Sequence, residues 1–363
     1  MRPLRLFALL CASVAVIIVS CGRSTPGPSP SPPDGAPVLA FQELLAFVPQ
    51  AWYDQHPPDI HGPAVYFLDF EVMRADLNLS DVSGSDTRSA KLPLITGIST
   101  QGLDFTPDAI DPLGATAYDK WGWDIADLSQ AVFFPDQQAA ILRGNFDKET
   151  IQTAMSRQGF SEGVEHEWTI FHSPNQSLHF GLRSDILFVA QAVANVARLA
   201  DDENSVGESL PNSHPVRLLF PYTGGAYGAV LMGSGDLLSM QNRLQSPQMQ
   251  FSSLNITGTY QYGWDFLLIT FQASGGVTNL SFIYHYPSNN EASKDVALVQ
   301  ATLTKTPSFK SPSATWGDLI QLDGVNLDGM LIVAHGKTKS NNLIGDSIYF
   351  HDEAGFLPAR PIQ

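Results

Sequence analysis

Hydrophobic positions along the chain follow a strand period in some segments and a helix period in others. Two apolar runs, 128–134 (LSQAVFF) and 139–146 (AAILRGNF), flank a short proline-containing turn and predict a β-hairpin. The next segment, 147–159 (DKETIQTAMSRQG), repeats its apolar positions at helical spacing. Asp147 is a favourable N-cap and Gly159 a favourable stop, so we predict a helix between them.

The same two patterns extend over the rest of the first half of the body. Helices are predicted in 41–52 and 192–202, and strands in 63–77 and 165–172. A hairpin is predicted to turn at Ser184-Asp185, because polar turn residues there separate two apolar runs.

The second half repeats this order of elements. A long hairpin is predicted from 259–272 and 278–287, a helix in 290–305 capped by its first residue, an asparagine, and a closing strand in 327–338. We therefore predict an α+β fold with two antiparallel-sheet modules, each with its helices packed on one face of the sheet. The similar order of the two halves is compatible with an internal duplication, but the sequence contains no clear repeat, and this alternative stays open.

Composition restricts the class of partner. The chain has 363 residues, of which 44% are hydrophobic and 15% charged, so it can bury a substantial core. Acidic residues outnumber basic ones 36 to 20, which gives a formal net charge of −16. Such a surface repels phosphate backbones, and we expect no nucleic-acid partner. The two cysteines are Cys11 and Cys21, so the chain after Cys21 contains no disulfide and no thiol nucleophile.

The N-terminus has the layout of a secretory signal. Arg2 and Arg5 precede a largely apolar stretch of fourteen residues, 6–19. A helix that crosses a membrane needs about 20 apolar residues, so a permanent span is disfavoured. The apolar run ends abruptly at Cys21, after which the chain is rich in proline, serine and glycine.

The tetrapeptide Ile18-Val19-Ser20-Cys21 resembles the lipobox of bacterial lipoproteins. The resemblance implies that the Cys21 thiol is joined to diacylglycerol, that the signal is cut before Cys21, and that the new N-terminus is acylated. It also implies export and a position at the outer, extracytoplasmic face of the cell membrane. The segment 141–160 is similar to exported bacterial lipoproteins as well, but it carries no catalytic motif.

The residues after Cys21 form a tether. Six prolines lie between residues 22 and 37, and a proline-rich chain of this length reaches roughly 50 Å. The polar stretch 201–215 is the best boundary within the body. The predicted organisation is a signal peptide (1–20), the lipidated Cys21 with its tether (21–37), an N-terminal α+β module (38–210) and a C-terminal α+β module (211–363).

One segment has the residue types of a metal site. Residues 53–63 (YDQHPPDIHGP) place Asp54, His56, Asp59 and His61 within eight positions, and these side chains are ligands for zinc or another divalent ion. The alternative is a polar loop stiffened by prolines, and we favour it because the prolines limit how far the side chains can converge. We therefore assign no metal and no cofactor.

Other polar residues suggest chemistry but have ordinary explanations. His166 and His172 share one face of a predicted strand and His179 lies on the next, which is also common on sheet faces without metal. Glu165 and Glu167 are close enough in sequence to resemble a carboxylate pair, but an exposed strand face explains them equally well. Ser234 lies among turn glycines, and the sequence nominates no His or Asp partner for it.

Two rows of aromatic residues can belong either to a binding surface or to the core. Residues 118–124 (YDKWGWD) and 260–264 (YQYGW) place aromatic side chains two positions apart, on one face of an extended chain. Exposed rows of this kind bind sugars, aromatic ligands or proteins, whereas buried rows belong to the core.

These patterns predict a lipid-anchored extracytoplasmic protein with a non-enzymatic binding or envelope-scaffolding role. Its membrane contact would be the lipid on Cys21, and its further partner would be a protein or a small ligand. Two alternatives stay open: an exported metal-dependent hydrolase that uses the 54–61 cluster, and a carrier of apolar ligands with a tunnel between sheet and helices.

Overall fold

The structure of the chain is a computed structural model. It describes residues 37–47, 64–76, 78–79, 81–100, 116–134, 139–165, 167–175, 178–191, 214–234, 260–274, 277–306, 314–339 and 358–361. The signal, Cys21, most of the tether, the 54–61 cluster and the predicted helix at 192–202 lie outside these residues.

Fourteen strands are described, and twelve of them form one antiparallel sheet. The order across the sheet is β12-β13-β11-β10-β8-β1-β2-β3-β7-β6-β5-β4, and β9 pairs separately with β14. The strands are β1 (Ala64–Asp69), β2 (Leu128–Phe134), β3 (Ala139–Gly144), β4 (Ser161–Glu165), β5 (Trp168–His172), β6 (His179–Arg183), β7 (Ile186–Ala190), β8 (Gly228–Gly233), β9 (Tyr260–Tyr262), β10 (Phe266–Ser274), β11 (Val277–His285), β12 (Ile320–Asp328), β13 (Leu331–Thr338) and β14 (Ala359–Pro361).

Helices cover both faces of the large sheet. They are α1 (Pro37–Leu45), α2 (Phe70–Asp76), α3 (Arg88–Thr100), α4 (Ala117–Trp121), α5 (Lys148–Arg157), α6 (His214–Arg217), α7 (Asn289–Lys305) and α8 (Trp316–Leu319), with 3-10 turns at Ile125–Asp127 and Phe220–Thr223. The α+β class with an antiparallel sheet is thus confirmed. The strands of both predicted modules lie in one sheet, which is continuous through the pairing of β1 with β8.

Alternating side chains of the central strands contribute to two separate cores. Tyr66 and Leu68 of β1 belong to the core under α2–α5, α7 and α8, whereas Val65 and Phe67 belong to the core under α1 and α6. The prediction that each module packs its helices on one face is therefore wrong for both modules. In the N-terminal module α1 lies on the face opposite α2–α5, and in the C-terminal module α6 lies on the face opposite α7 and α8. Strands such as β2 and β7 are buried on both faces, and each face needs a cover.

The boundary between β1 and α2 corrects another prediction. Residues 63–77 were expected to form one strand, but the strand ends at Asp69 and a helix begins at Phe70. The Asp69 carboxylate accepts a hydrogen bond from the Val72 N–H at 2.9 Å, as an N-cap does. The apolar pattern continues through the junction because both elements are buried, so hydrophobicity alone did not reveal it.

Several local predictions agree with the structure. The 128–146 hairpin pairs β2 with β3, and α5 begins after Asp147, whose carboxylate accepts from the Glu149 N–H at 3.1 Å. The turn between β6 and β7 includes Ser184 in a left-handed conformation with φ 51°. Helix α7 is present as predicted, but its N-cap is Ser288 and not Asn290.

The aromatic row at 118–124 is neither extended nor exposed. Residues 117–121 form α4, and both Trp121 and Trp123 are buried in the core, at 3% and 1% exposure. Trp264 is buried as well and donates from its indole nitrogen to the Pro358 carbonyl at 3.2 Å. These three tryptophans are core residues and do not form a binding surface.

Candidate functional site

A cleft opens at one end of the sheet where four elements meet. It has a volume of about 410 Å³ and lies between the end of β3, the first turn of α5, the start of β5 and the turn from β6 to β7. Its lining residues are Gly144, Asn145, Phe146, Lys148, Glu167, Thr169, Leu182, Arg183, Ser184 and Asp185. The volume is in the range of small-molecule sites.

Arg183 is held in place by an aromatic ring. Its guanidinium lies 4.5 Å from the centroid of the Trp168 ring, and Trp168 in turn stacks on Phe188 with centroids 4.3 Å apart. The Glu167 carboxylate lies 3.9 Å from an Arg183 nitrogen, at the limit of an ion pair. The cation–π contact and the burial of the aromatic ring orient the guanidinium.

Asp185, in the turn from β6 to β7, lies beside a second arginine. The Arg143 Nε lies 3.4 Å from the Asp185 carboxylate, and its terminal nitrogen donates to Glu43 of α1 at 2.9 Å. This arrangement connects the cleft wall to a helix of the opposite sheet face. The Asp185 side chain is still 58% exposed, so solvent and a ligand can reach it.

The cleft combines charges of both signs with a buried hydroxyl. Lys148 and Arg183 supply positive charge, Glu167 and Asp185 supply negative charge, and Thr169 lines the wall with only 4% exposure. Phe146 and Leu182 add apolar surface. Such a lining can hold a small molecule that carries both an anionic and a cationic group.

The residues that the sequence nominated are only partly described. Among the described residues, no group of three or more His, Cys, Asp or Glu side chains is arranged to hold a metal ion. The 54–61 cluster and His166 fall outside them. His172 and His179 do meet across β5 and β6, with their Nδ1 atoms 3.4 Å apart, as the strand prediction implied.

The strand predicted at 165–172 is wrong in part. The chain reverses between Glu165, the last residue of β4, and Trp168, the first residue of β5. Glu165 and Glu167 therefore do not share one strand face. Glu167 belongs to the cleft, and Glu165 to the sheet edge.

The structure also brings together two residues that the sequence analysis did not single out. The Asp265 carboxylate lies 3.1 Å from the Nδ1 of His285, which is 3% exposed, and the His285 Nε2 is buried without a hydrogen-bond partner among the described residues. Ser234 adjoins them and donates its backbone N–H to the Asp265 carbonyl at 2.7 Å. In the β10–β11 hairpin His285 pairs with Phe266, the residue after Asp265, so the predicted hairpin already brings Asp265 and His285 near each other.

His285 and Asp265 resemble a catalytic base and the carboxylate that orients it, but no nucleophile is hydrogen-bonded to His285 among the described residues. No hydrogen bond joins the Ser234 side chain to His285 in the described part of the chain. We therefore do not assign catalysis to Ser234, Asp265 or His285.

A third cluster of charged side chains is largely buried, and its members pair with one another. Lys91 of α3 forms an ion pair with Asp124 and donates to the Gly84 carbonyl at 2.8 Å. Asp127 accepts from the Gly84 N–H at 2.8 Å and from the Asp124 N–H at 3.0 Å. Burial raises the pKa of both Asp124 and Asp127, and the hydrogen bonds oppose that shift. The groups satisfy one another, as expected of a structural network.

Comparisons with known proteins give little further information. No family model matches the chain, and no curated protein matches it. Crystal form III of TP0453, a Treponema protein, is similar with a TM-score of 0.43 and 11% identity over 84% of this chain and 97% of the other. Crystal form I of TP0453 is similar with a TM-score of 0.43 and 10% identity over 82% of this chain and 96% of the other. We draw no conclusion from likenesses at this level. Within the described residues, no helix is both long and apolar enough to span a bilayer.

Proposed function

We propose that this chain is a lipid-anchored extracytoplasmic binding protein whose ligand site is the cleft between β3, α5, β5 and the β6–β7 turn. The anchor is the lipid on Cys21, and the proline-rich tether holds the acidic body away from the membrane. The ligand is a small molecule with both an anionic and a cationic group. The function is binding and not catalysis.

The observation that carries the proposal is the charge arrangement of the cleft. Arg183 is oriented by Trp168 and Asp185 by Arg143, so one charge of each sign is fixed before a ligand arrives. Fixed groups lose less conformational entropy on binding than mobile ones, which is the usual advantage of a preorganised site. A free amino acid or a dipeptide has the size and the two charges that such a cleft can hold.

Calorimetric titration of the purified lipoprotein with the zwitterionic dipeptide alanylalanine tests the site. We expect saturable binding that Arg183→Met or Lys148→Met weakens at least about tenfold, because each removes one charge-assisted hydrogen bond. Lys294→Met, which removes an exposed lysine of α7 outside the cleft, should leave the affinity unchanged. Saturable binding that is insensitive to both cleft variants would contradict the assignment.

We also propose that the two halves arose by duplication. The order β1-β2-β3-β7 on one side of the sheet resembles β8-β10-β11-β13 on the other, with α5 following β3 and α7 following β11. The halves meet at the antiparallel pair β1–β8, and Ile151 of α5 and Val299 of α7 pack into the same core. Superposition of the halves tests this proposal, since a common origin requires α5 and α7 to coincide when the strands do.

A further inference from the structure

Among the described residues, strand β4 is an edge of the twelve-stranded sheet and pairs with β5 alone. Its five residues, Ser161–Glu165, are exposed or half-exposed, and the side chain of Val164 is 76% exposed. A Cβ atom added at Gly163 would meet no atom within 4 Å. Every second residue of an edge strand turns its N–H and C=O outward, and no described strand pairs with these groups of β4.

The charges along this edge have one sign. Glu162 and Glu165 lie in the strand, Glu167 follows it, and residues 161–167 contain no lysine or arginine. Glu162 accepts a hydrogen bond from Gln152 at 2.9 Å, and Glu165 makes no ion pair among the described residues. Glu162 and Val164 lie on the same face of β4, because they are two positions apart and pair with Phe171 and Thr169 of β5. Glu165 pairs with Trp168 and lies on the other face. The two carboxylates are therefore on opposite faces, three positions apart.

We propose that β4 is a docking edge for an extended segment of a partner protein that carries two basic residues three positions apart. The segment adds to β4 as an antiparallel strand, as all other strands of this sheet do. Its basic residues lie opposite Glu165 and Glu162, and an apolar residue lies opposite Val164. Opposite charges on paired strands attract, and the free backbone groups of β4 supply the remaining hydrogen bonds.

The acidity of the edge decides the kind of partner. Acidic side chains on an edge strand discourage association with identical or acidic strands, and they favour a basic one. Pairing β4 with β4 of a second copy would gather four carboxylates around one short ladder. The net charge of −16 adds a long-range attraction for a basic segment and a repulsion between copies.

Fluorescence anisotropy with two labelled hexapeptides tests the proposal on the intact lipoprotein in nonionic detergent. The basic probe is acetyl-Thr-Lys-Val-Thr-Lys-Thr-amide, and the matched acidic probe replaces both lysines by glutamate. We expect saturable binding of the basic probe, at least about tenfold weaker binding of the acidic probe, and weaker binding at high salt. The variant Glu162→Lys/Glu165→Lys should reverse the preference between the two probes.

Two controls separate strand addition from general charge attraction. Glu71→Lys/Asp323→Lys makes the same change of net charge at two exposed positions, one in α2 after the central strand β1 and one in β12 at the other edge of the sheet, and it should leave the affinity for the basic probe within about twofold. A basic probe with proline in place of valine keeps its charge but loses a backbone donor, and it should bind at least about tenfold more weakly. The proposal would be overturned if both double variants lost the same affinity for the basic probe. It would also be overturned if the proline probe bound as tightly as the basic probe with valine. A dimer in sedimentation that only the β4 variant dissociates would overturn it as well.

Discussion

Replacement of Lys91 by methionine should destabilise the protein strongly, because it leaves the Asp124 carboxylate buried without its counter-ion. Asp124 is 2% exposed and Lys91 is 8% exposed, so water cannot take the place of the lost ammonium group. Removing one partner of a buried ion pair typically costs about 3–5 kcal/mol. The Gly84 carbonyl loses its donor at the same time. The measurement is the midpoint of urea unfolding at pH 7, with the slope of the transition checked for constancy.

Two further variants isolate the effect of the unpaired charge. Lys91→Met/Asp124→Asn removes both charges and keeps the oxygen that accepts from the Ala126 N–H at 2.9 Å, so we expect it to recover about 2 kcal/mol or more. Lys294→Met breaks an exposed ion pair with Glu291 and should cost less than about 1 kcal/mol. A Lys91→Met midpoint no lower than that of Lys294→Met would refute the reasoning.

One further prediction concerns the carboxyl group of Asp69, and another concerns the backbone conformation of Gly122. Burial raises the pKa of Asp69 above 3.8, so the folded state binds its proton more tightly than the unfolded state, and stability is lost as pH rises through that window. Asp69→Asn keeps an oxygen that can accept from the Val72 N–H but does not titrate. Its free energy of urea unfolding, relative to that of the wild type, should therefore rise between pH 3 and pH 7. A difference that is constant with pH would contradict this. Gly122 has φ 77°, and a Cβ there would lie 2.8 Å from the Ile151 Cα, so Gly122→Ala should cost about 1–3 kcal/mol. Gly163→Ala, where space is open, should stay within about 0.5 kcal/mol in the same thermal or urea assay, and equal losses would refute the clash.

Local chemistry explains which elements the sequence predicts. The α5 helix was readable because an N-cap, a helical apolar period and a glycine stop agree within one short segment. The β6–β7 turn was readable because Ser184 and Asp185 interrupt two apolar runs. The β1–α2 junction was not, since Asp69 serves as an N-cap inside a continuous apolar pattern.

Long-range arrangement limits what the sequence says about the site. The single sheet depends on the pairing of β1 with β8, more than 150 residues apart, and no local pattern encodes that contact. The cleft likewise joins Lys148, Glu167 and Arg183 from separate elements. In the sequence each of them resembles an ordinary surface charge, and no local pattern groups them into one site.

Mass spectrometry of the native N-terminal peptide tests the lipid anchor most directly. We expect a peptide that begins at Cys21, with a diacylglyceryl group on the thiol and an acyl chain on the new amino group. An unmodified peptide, or one that retains residues 1–20, would contradict it.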